Sequence, residues 1–402
     1  MSTFGDELAR LMAERGTGVR ELARACYVNP GHVSKLRGGT ARPSLELADQ
    51  IDRYLGAGGR LAALAPQAGA EELPASDEIA AIELGRRVLA SDVGDGACER
   101  IERAVDDMAV AYHRTPPVAL LPRVRAHLGY VGGLLGGRVT LMQRRRLTVS
   151  GGWLSLLAAT VLADLHDDAA ALAYLDTAAA LAGEAGHAEI TAWSFETRAW
   201  IDVTAGRYKT AVALARAGQD AAPRGSSALL QATAQEGRAH ARLGDQAATS
   251  NALARVEALA SPLRQPEQPE HHYKYDPAKA EAYVVTTLAW SGDPAAEGMA
   301  RDVLARFEAP DEGPPRHRRA TAARLDLGLA LAKRGRLDEA AGTALEAVTS
   351  GYLVPSNFWR AGEIVEAVCR RDVPEARDLE EAYRAGVTAA HEPAGTPPAA
   401  LP

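Results

Sequence analysis

The clearest chemistry in the sequence is a local excess of basic side chains near the N-terminus. Between Thr17 and Arg42 one acid, Glu21, stands against five basic residues: Arg20, Arg24, Lys35, Arg37 and Arg42. Guanidinium and ammonium groups bind phosphate oxygens, so such a cluster is typical of a nucleic-acid contact. The whole chain has 45 basic and 52 acidic residues and a net charge of −7. That balance excludes a polycationic nucleic-acid binder and restricts any such contact to this segment.

Short helices are predicted around these basic residues. The apolar spacing over residues 4–12 predicts a first helix. Asn29 and Pro30 supply an N-cap and a first helical position for a later helix, which ends at Gly38. Two short helices joined by three or four residues, the second with a polar outward face, form the arrangement in which one helix enters the major groove of DNA. A small bundle with a solvated basic face is the alternative.

The segment that carries these features resembles a known DNA-binding family. It reads RELARACYVNPGHVSKLRGGTARPSLELADQIDRYLGAGGRLAAL, with an ELA run, a VNP entry, a VSKLRGG exit and an RPS start in order. It is similar to the helix-turn-helix of the XRE family, the lambdoid phage repressor type found in actinobacterial regulators. The resemblance implies a λ-repressor-like, five-helix head over residues 1–66 that binds double-stranded DNA.

The resemblance also implies which residues contact the DNA. The groove-facing positions correspond to Gly31, His32, Ser34 and Lys35, and the phosphate contacts to Arg37, Thr40 and Arg42. Arg20 and Asn29 complete the expected DNA-binding set.

Two positions depart from the family pattern. Tyr27 stands where the family usually has Gly in the turn, which predicts strain there, and Val19 stands where Gln commonly begins the second helix. Gly31 has no side chain with which to read a base. An alternative function therefore stays open, namely a TPR-type protein interaction scaffold whose head binds DNA with little or no sequence specificity.

Composition predicts an all-α fold for the whole chain. Ala and Leu recur throughout while aromatic residues make up 5%, and a core of small residues suits closely packed helices. After the head we predict a linker over 67–77, a connecting helical region over 78–146, helical repeats over 147–391 and a disordered tail over 392–402. The uncharged stretch from Leu147 to Ala163 is shorter than the roughly 20 residues that a membrane span needs. It predicts a buried helix and no membrane contact.

Five short turns recur along the repeats, and each joins two Ala-rich amphipathic segments. Their equivalent residues, at steps of 40, 38, 48 and 43 residues, are His166, Gly206, Gly244, Gly292 and Gly335. These steps are long enough for two helices, so each unit is predicted to be a helical hairpin. The units resemble the tetratricopeptide repeat (TPR), which implies a TPR-like α-solenoid; a generic α-solenoid is the other interpretation.

Stacked hairpins curve into a concave surface suited to a peptide or a partner helix. The residues expected to line it are Trp193, Arg198, Arg238, Tyr283 and Trp290. An XRE head on a TPR body resembles the peptide-responsive regulators of Gram-positive bacteria, which clamp the peptide backbone with Asn. Here Asn occurs only at positions 29, 251 and 357. A peptide, a small molecule, a protein partner and no effector at all stay open.

Other patterns do not predict catalysis or metal binding. His271 and His272 have no third ligand nearby, which favours a loop. The three cysteines are far apart and lack metal-site spacing, and no nucleophile stands in a strand-turn-helix context. We expect a protein that is not an enzyme and has no metal and no cofactor. The N-terminus lacks a signal-peptide pattern, so a cytoplasmic location is expected.

These features predict a sequence-specific transcription regulator whose repeats dimerise, sense an effector, or both. A homodimer is expected because one short recognition helix reads too few base pairs to select a site in a genome. The segment from Met108 to Ala163 has arginines and no acid. It or the terminal hairpins are candidates for the two-fold contact, and the segment could equally contact phosphate, bind an acidic partner, or be a solvated face that pairs with acidic parts of the same chain.

Overall fold

The computed structural model describes residues 3–65, 84–85, 89–264, 266–268, 270–275, 277–309, 316–371 and 376–391. Over these ranges every regular element is a helix, which confirms the predicted all-α class. The chain divides into two compact units, Met1–Val88 and Leu89–Pro402; residues 3–65 are called the head below and residues 89–391 the body. The predicted linker at 67–77 and tail at 392–402 lie outside the described residues.

The head contains five helices, as expected. They are α1 (Phe4–Arg15), α2 (Val19–Ala25), α3 (Pro30–Arg37), α4 (Leu45–Leu55) and α5 (Arg60–Leu64). The side chains of Leu8, Leu22, Leu36 and Ile51 are fully buried in one core. One side of α3 packs against this core, and its other side faces solvent.

A buried carboxylate fixes the end of the head. Asp52 of α4 accepts hydrogen bonds from the backbone N–H groups of Gly59 and Leu61, each at 2.7 Å, and of Ala62 at 3.3 Å. Burial alone would raise the pKa of Asp52, but these N–H donors outweigh it and lower the pKa. The ionised side chain therefore caps α5 and ties it to α4.

The body consists of longer helices in sequence. They are α6 (Asp95–Ala111), α7 (Pro117–Leu135), α8 (Leu141–Asp164), α9 (Asp168–Ala185), α10 (Ala188–Thr204), α11 (Tyr208–Ala221), α12 (Ser227–Leu243), α13 (Gln246–Ala260), α14 (Pro277–Ser291), α15 (Ala296–Glu308), α16 (His317–Lys333), α17 (Leu337–Thr349), α18 (Phe358–Cys369) and α19 (Ala376–His391), with a short 3-10 turn at Pro355–Asn357.

The five predicted turns are present between helices α8 to α17. Each joins an even-numbered helix to the next odd-numbered one, and each equivalent residue has a left-handed backbone, with φ from 60° at His166 to 81° at Gly292. Four of the five are glycines because a left-handed backbone costs little without a Cβ. The prediction of repeated helical hairpins is therefore confirmed.

The hairpins stack through their first helices. Helices α8, α10, α12, α14, α16 and α18 each contact the next one along this row. Small residues allow the hairpins to pack closely: a Cβ on Gly218 would lie 3.2 Å from the carbonyl oxygen of Ala192 and 3.3 Å from the Cβ of Ala232. Every hairpin therefore presents its first helix to the same inner side.

The two ends of this row meet. At the C-terminal end of α8, Asp164 forms an ion pair with Arg318 of α16 and accepts hydrogen bonds from Tyr112 Oη at 2.6 Å and Ser356 Oγ at 3.1 Å. These partners come from the C-terminal end of α6, where Tyr112 is the C-cap, from α16 and from the 3-10 turn. The row consequently closes on itself and encloses a cavity.

Helix α8 is long and apolar enough to be compared with a membrane span. Of its most apolar 18-residue window, 89% is buried inside the body, where α8 contacts α6, α7, α9 and α10. This burial agrees with the predicted core helix.

Candidate functional site

The turn between α2 and α3 has an unusual backbone. It runs from Cys26 to Asn29, and Tyr27 has a φ of 54°, a region that costs a residue with a Cβ roughly 1–2 kcal/mol. The ring of Tyr27 is 96% exposed, so no packing contact offsets this cost. The strain predicted from the missing Gly is therefore present in the backbone.

Helix α3 buries one side and exposes the other. Val33 and Leu36 point into the core and are fully buried, whereas Ser34 and Lys35 are exposed and His32 is half-buried. Gly31 is also exposed. The sequence prediction of an outward polar face on this helix is confirmed.

Two of the predicted DNA contacts also hold the ends of α3. The side-chain oxygen of Asn29 accepts a hydrogen bond of 2.7 Å from the N–H of Gly31, which makes it the N-cap. Thr40 Oγ1 donates to the carbonyl oxygen of Lys35 at 3.2 Å. Both side chains are exposed, so these bonds leave them at the surface while they fix the helix.

The five basic residues of this region have no internal counter-charge. Within residues 3–65 the side chains of Arg20, Arg24, Lys35, Arg37 and Arg42 form no salt bridge and no side-chain hydrogen bond, and all are exposed. Elsewhere in the head, Arg10 pairs with Glu7 and Arg53 with Asp49 at 3.0 Å. Arg15 of α1 also has no ion pair within residues 3–65, but the other five unpaired cations lie on α2, α3 and the residues that follow α3.

The body contains a cavity with about 1140 Å³ of space free of protein atoms, counting the part open to solvent. Every helix of the inner row contributes to its wall, from Thr160 of α8 and Glu196 of α10 to Arg360 of α18. The cavity is thus the inner side of the stacked hairpins, where a concave binding surface was expected.

The predicted groove residues divide into two groups. Arg238 and Tyr283 line the cavity, and the guanidinium carbon of Arg238 lies 3.8 Å from the centroid of the Tyr283 ring. The other three do not line it. Trp193 packs against Tyr273 at 5.2 Å, Arg198 pairs with Asp176 at 2.5 Å, and Trp290 packs against Trp359 at 5.1 Å.

Several charged residues of the wall were not predicted from the sequence. Besides Arg238 the cationic ones are Lys279, Arg318, Arg319 and Arg360, and the acidic ones are Asp164, Glu196 and Asp326. A signal was present, because each acid stands within a run of apolar residues, as Asp326 does in ARLDLGLALA. A charge on the apolar side of a helix in a sequence of this kind indicates an internal polar site.

Most of these cations have partners in the chain. Arg360 Nη1 lies 3.3 Å from Asp326 Oδ1, and Arg319 lies 3.3 Å from Glu270. Lys279 Nζ donates to the carbonyl oxygens of His271 and Lys274, each at 2.6 Å. These contacts offset the cost of burying charge.

Arg238 differs from the other cations of the wall. Its residue is 3% exposed, and Nη1 donates to Gln235 Oε1 at 2.8 Å. In the part of the chain that the structure describes, Nε and Nη2 have no hydrogen-bond partner and no carboxylate forms a salt bridge with the guanidinium. Arg238 is therefore a buried charge that the described chain does not neutralise.

Burial also changes the titration of the wall. It raises the pKa of Glu196 to about 7, although Gln231 Nε2 donates to this carboxylate at 3.1 Å and Arg238 lies near. Burial, with the positive charges of Arg319 and Lys279 nearby, holds the pKa of His113 and of His272 well below 6.5. Both imidazoles are therefore neutral near neutral pH.

The segment His271–Tyr275 is a loop, as expected, but a buried one. The backbone N–H of His272 donates to the carbonyl oxygen of Ala109 at 3.1 Å, and His271 Nε2 lies 3.1 Å from Asp106 Oδ1. The described residues contain no group of His, Cys, Asp and Glu that could hold a metal ion. The loop packs against α6 and closes one side of the cavity.

Comparison with known proteins does not assign this chain to a family. No family model matches it, and no curated protein matches it.

Proposed function

We propose that the protein is a cytoplasmic transcription regulator that binds double-stranded DNA through its head. In this proposal residues 1–66 form a λ-repressor-like helix-turn-helix head of the XRE type, and residues 147–391 form a TPR-like α-solenoid that dimerises, senses an effector, or both. The observation that carries the proposal is the group of five exposed cations on and around α2 and α3, which have no counter-charge within the head.

Phosphate is the counter-charge that fits this surface. Five like charges close together repel one another, and the polyanionic backbone of DNA removes that repulsion while it releases counterions. Helix α3 has eight residues and a length of about 12 Å. It carries its polar side chains outward, and a helix of this kind fits the major groove of B-form DNA.

The base-reading capacity of one head is small. On α3 the half-buried His32 and the exposed Ser34 and Lys35 are the side chains available for base edges, and Gly31 has none to offer. Water-mediated contacts and a second head would supply the missing discrimination. A homodimer with two heads about 34 Å apart would read an inverted repeat.

The second candidate is a TPR-type interaction scaffold whose head binds DNA with little or no specificity. The left-handed Tyr27 favours it, because an exposed ring in a strained turn is an unusual feature for a helix pair that must fit the DNA surface. In that case the basic surface would bind all duplexes alike.

Fluorescence anisotropy separates the two candidates. The full-length protein is titrated with a labelled duplex from the region upstream of its own gene, with duplexes selected from a random pool, and with a shuffled duplex. Regulator function predicts that the upstream or a selected duplex binds about a thousandfold more tightly than the shuffled one. Equal affinity for all duplexes would support the scaffold, and no binding to any of them would contradict both candidates.

A further inference from the structure

The buried cavity of the body contains an arginine that lacks a partner in the described chain. Arg318, Arg319 and Arg360 all pair with carboxylates, but Arg238 does not. A charge buried without a partner destabilises the folded protein. A group from outside the chain that pairs with this charge would remove that cost.

The free atoms of Arg238 define the shape of the missing partner. Nε and Nη2 lie side by side on one edge of the planar guanidinium, and both lack a hydrogen-bond partner among the described residues. The two oxygens of a carboxylate match such an edge and accept two parallel hydrogen bonds. Nη1 is already occupied by Gln235, so the free edge admits a single such group.

The wall around the guanidinium of Arg238 is aromatic. Tyr283 lies against Arg238, and the ring of Trp200 lies 5.9 Å from the guanidinium carbons of both Arg238 and Arg360. Phe307 also lines the cavity. A planar apolar group of a ligand, next to its carboxylate, would pack against these rings and be removed from water.

We propose that the cavity binds a small organic acid whose carboxylate pairs with the Nε–Nη2 edge of Arg238 and whose ring lies against the aromatic wall around Trp200. The volume of the cavity suits a molecule of this size. A cationic ligand is disfavoured, because Asp164 and Asp326 are already paired with arginines and Glu196 accepts a hydrogen bond from Gln231.

No carboxylate of the described residues forms a salt bridge with Arg238, although Glu196 and Asp326 both interact with it electrostatically. Glu196 comes closest to the role of a counter-charge, because it lines the same cavity and interacts electrostatically with Arg238. The two side chains nevertheless form no salt bridge. Gln231 holds Glu196 instead. Burial raises the pKa of Glu196 to about 7, so this carboxylate is partly protonated near neutral pH and is a weak counter-charge.

An effect of the acid on DNA affinity rests on the proposed function of the head. Binding of the acid to the cavity does not depend on that function. An acid that spans α10, α12 and α14 would favour one curvature of the stacked hairpins over another. If the head binds DNA, the ligand would thereby change DNA affinity. Binding of the acid to the protein is measured without DNA, so a failure of either proposal is recognised separately.

The test uses the full-length protein and a panel of ring-bearing carboxylates from benzoate to indole-3-acetate. Binding is followed by isothermal titration calorimetry and by tryptophan fluorescence. The comparison compounds are benzamide and indole-3-acetamide, which lack the charge, acetate, which lacks the ring, and phenyl phosphate, which replaces the carboxylate. We expect at least one ring-bearing carboxylate to bind about tenfold or more tightly than its amide and than acetate.

Three variants connect this binding to the site. Arg238→Met keeps the unbranched stem over Tyr283 and removes the fork, and we expect it to weaken binding about tenfold or more. Arg198→Met removes an arginine that pairs with Asp176 outside the cavity, and it should bind as the wild type does. Arg238→Lys keeps the charge without the fork and should also bind weakly.

The unliganded proteins give a second readout. A ligand-binding Arg238 destabilises the empty protein, so Arg238→Met should unfold at higher urea concentration than the wild type. Lower stability of this variant would indicate a purely structural arginine and would overturn the proposal. The proposal also fails if no carboxylate of the panel binds, if the amides bind equally well, if phenyl phosphate binds more tightly than every carboxylate, or if Arg238→Lys and Arg238→Met both bind like the wild type.

Discussion

The head and the body use their basic residues in opposite ways. In the head, Arg20, Lys35 and Arg42 are exposed and have no internal counter-charge. In the body, Arg360 is buried and Arg318 is largely buried, and both are paired with carboxylates of other helices. A cation whose counter-charge is part of the chain serves the fold, and one whose counter-charge is missing is available to a ligand. By this criterion the head carries a surface for a polyanion, and Arg238 is the exception among the cations of the cavity wall.

The largest expected effect concerns the paired side of this comparison. Asp164→Asn leaves Arg318 buried without a counter-charge and weakens the hydrogen bonds from Tyr112 and Ser356. We expect the free energy of unfolding of the body to fall by about 3–5 kcal/mol. Urea unfolding monitored by tryptophan fluorescence measures this, because all five tryptophans of the chain lie in the body.

A matched control uses an exposed pair. Glu366→Gln breaks the i,i+4 pair with Arg370, in which both side chains are more than half exposed, and it should change stability little. If Asp164→Asn were as mild as Glu366→Gln, the closure of the inner row through Asp164 would not hold the body together.

A smaller effect concerns Glu196, which interacts electrostatically with Arg238 but forms no salt bridge with it. Its folded pKa of about 7 exceeds the ordinary 4.5, so folding disfavours its ionised form. The contribution of Glu196 to stability should therefore fall as the pH rises from 4.5 towards 7 and then level off. The lowered pKa values of His113 and His272 act in the opposite direction, so this contribution is measured as the difference between the wild type and Glu196→Gln. Glu196→Gln removes this dependence, and we expect the variant to be more stable by about 3 kcal/mol near pH 8 and equal to the wild type at acid pH.

Glu236→Gln supplies the contrast, measured by the same unfolding curves. Burial would raise the pKa of Glu236, but hydrogen bonds from Gln219, Arg255 and Arg216 lower it to about 2, so replacing this carboxylate should destabilise the body near neutral pH. Loss of stability in Glu196→Gln near pH 8 would mean that Glu196 is the counter-charge of Arg238, and the proposed acid site would lose its basis.

The smallest effect concerns the turn of the head. Tyr27→Gly removes the left-handed strain at φ 54° but adds flexibility to the unfolded chain, and we expect a net gain of about 0.5–1 kcal/mol. Hydrogen exchange of the amides of α2 and α3 reports it. Tyr27→Ala removes the ring and keeps the strain, so it should show no gain. Equal protection in Tyr27→Gly and Tyr27→Ala would mean that the turn is not strained.

Local features of the fold were predictable from the sequence, and long-range features were not. The cap at Asn29 and the turn residues from His166 to Gly335 are set by neighbouring residues, and all are present in the structure. The closure through Asp164 and Arg318 joins residues 154 positions apart. No periodicity encodes that contact, because it depends on the curvature that accumulates over all the hairpins.

The same limit explains the cavity wall. The pattern of stacked hairpins predicted that arginines and aromatic residues of the first helices would line a concave side, and Arg238 and Tyr283 do so. Trp193 and Arg198 lie on the same helix as Glu196 and Trp200, which reach the cavity. The rotation of α10 decides which of them does, and it is set by packing against α8, α11 and α12. The apolar pattern of a helix buried on most of its surface does not specify that rotation.

The central claim is that the unpaired cations of the head bind DNA phosphates, and the salt dependence of DNA binding tests it most directly. Anisotropy titrations of the wild type, Arg42→Ala and Lys35→Ala are carried out at several salt concentrations on the preferred and on a shuffled duplex. We expect Arg42→Ala to weaken binding to both duplexes alike and to reduce the slope of log affinity against log salt by about 1. Lys35→Ala should weaken mainly the preferred duplex.

Arg53→Ala, which removes a paired arginine of the head, should leave affinity and slope unchanged. If Arg42→Ala and Arg53→Ala gave the same slope as the wild type, the basic surface would not be a phosphate contact and the central claim would be contradicted.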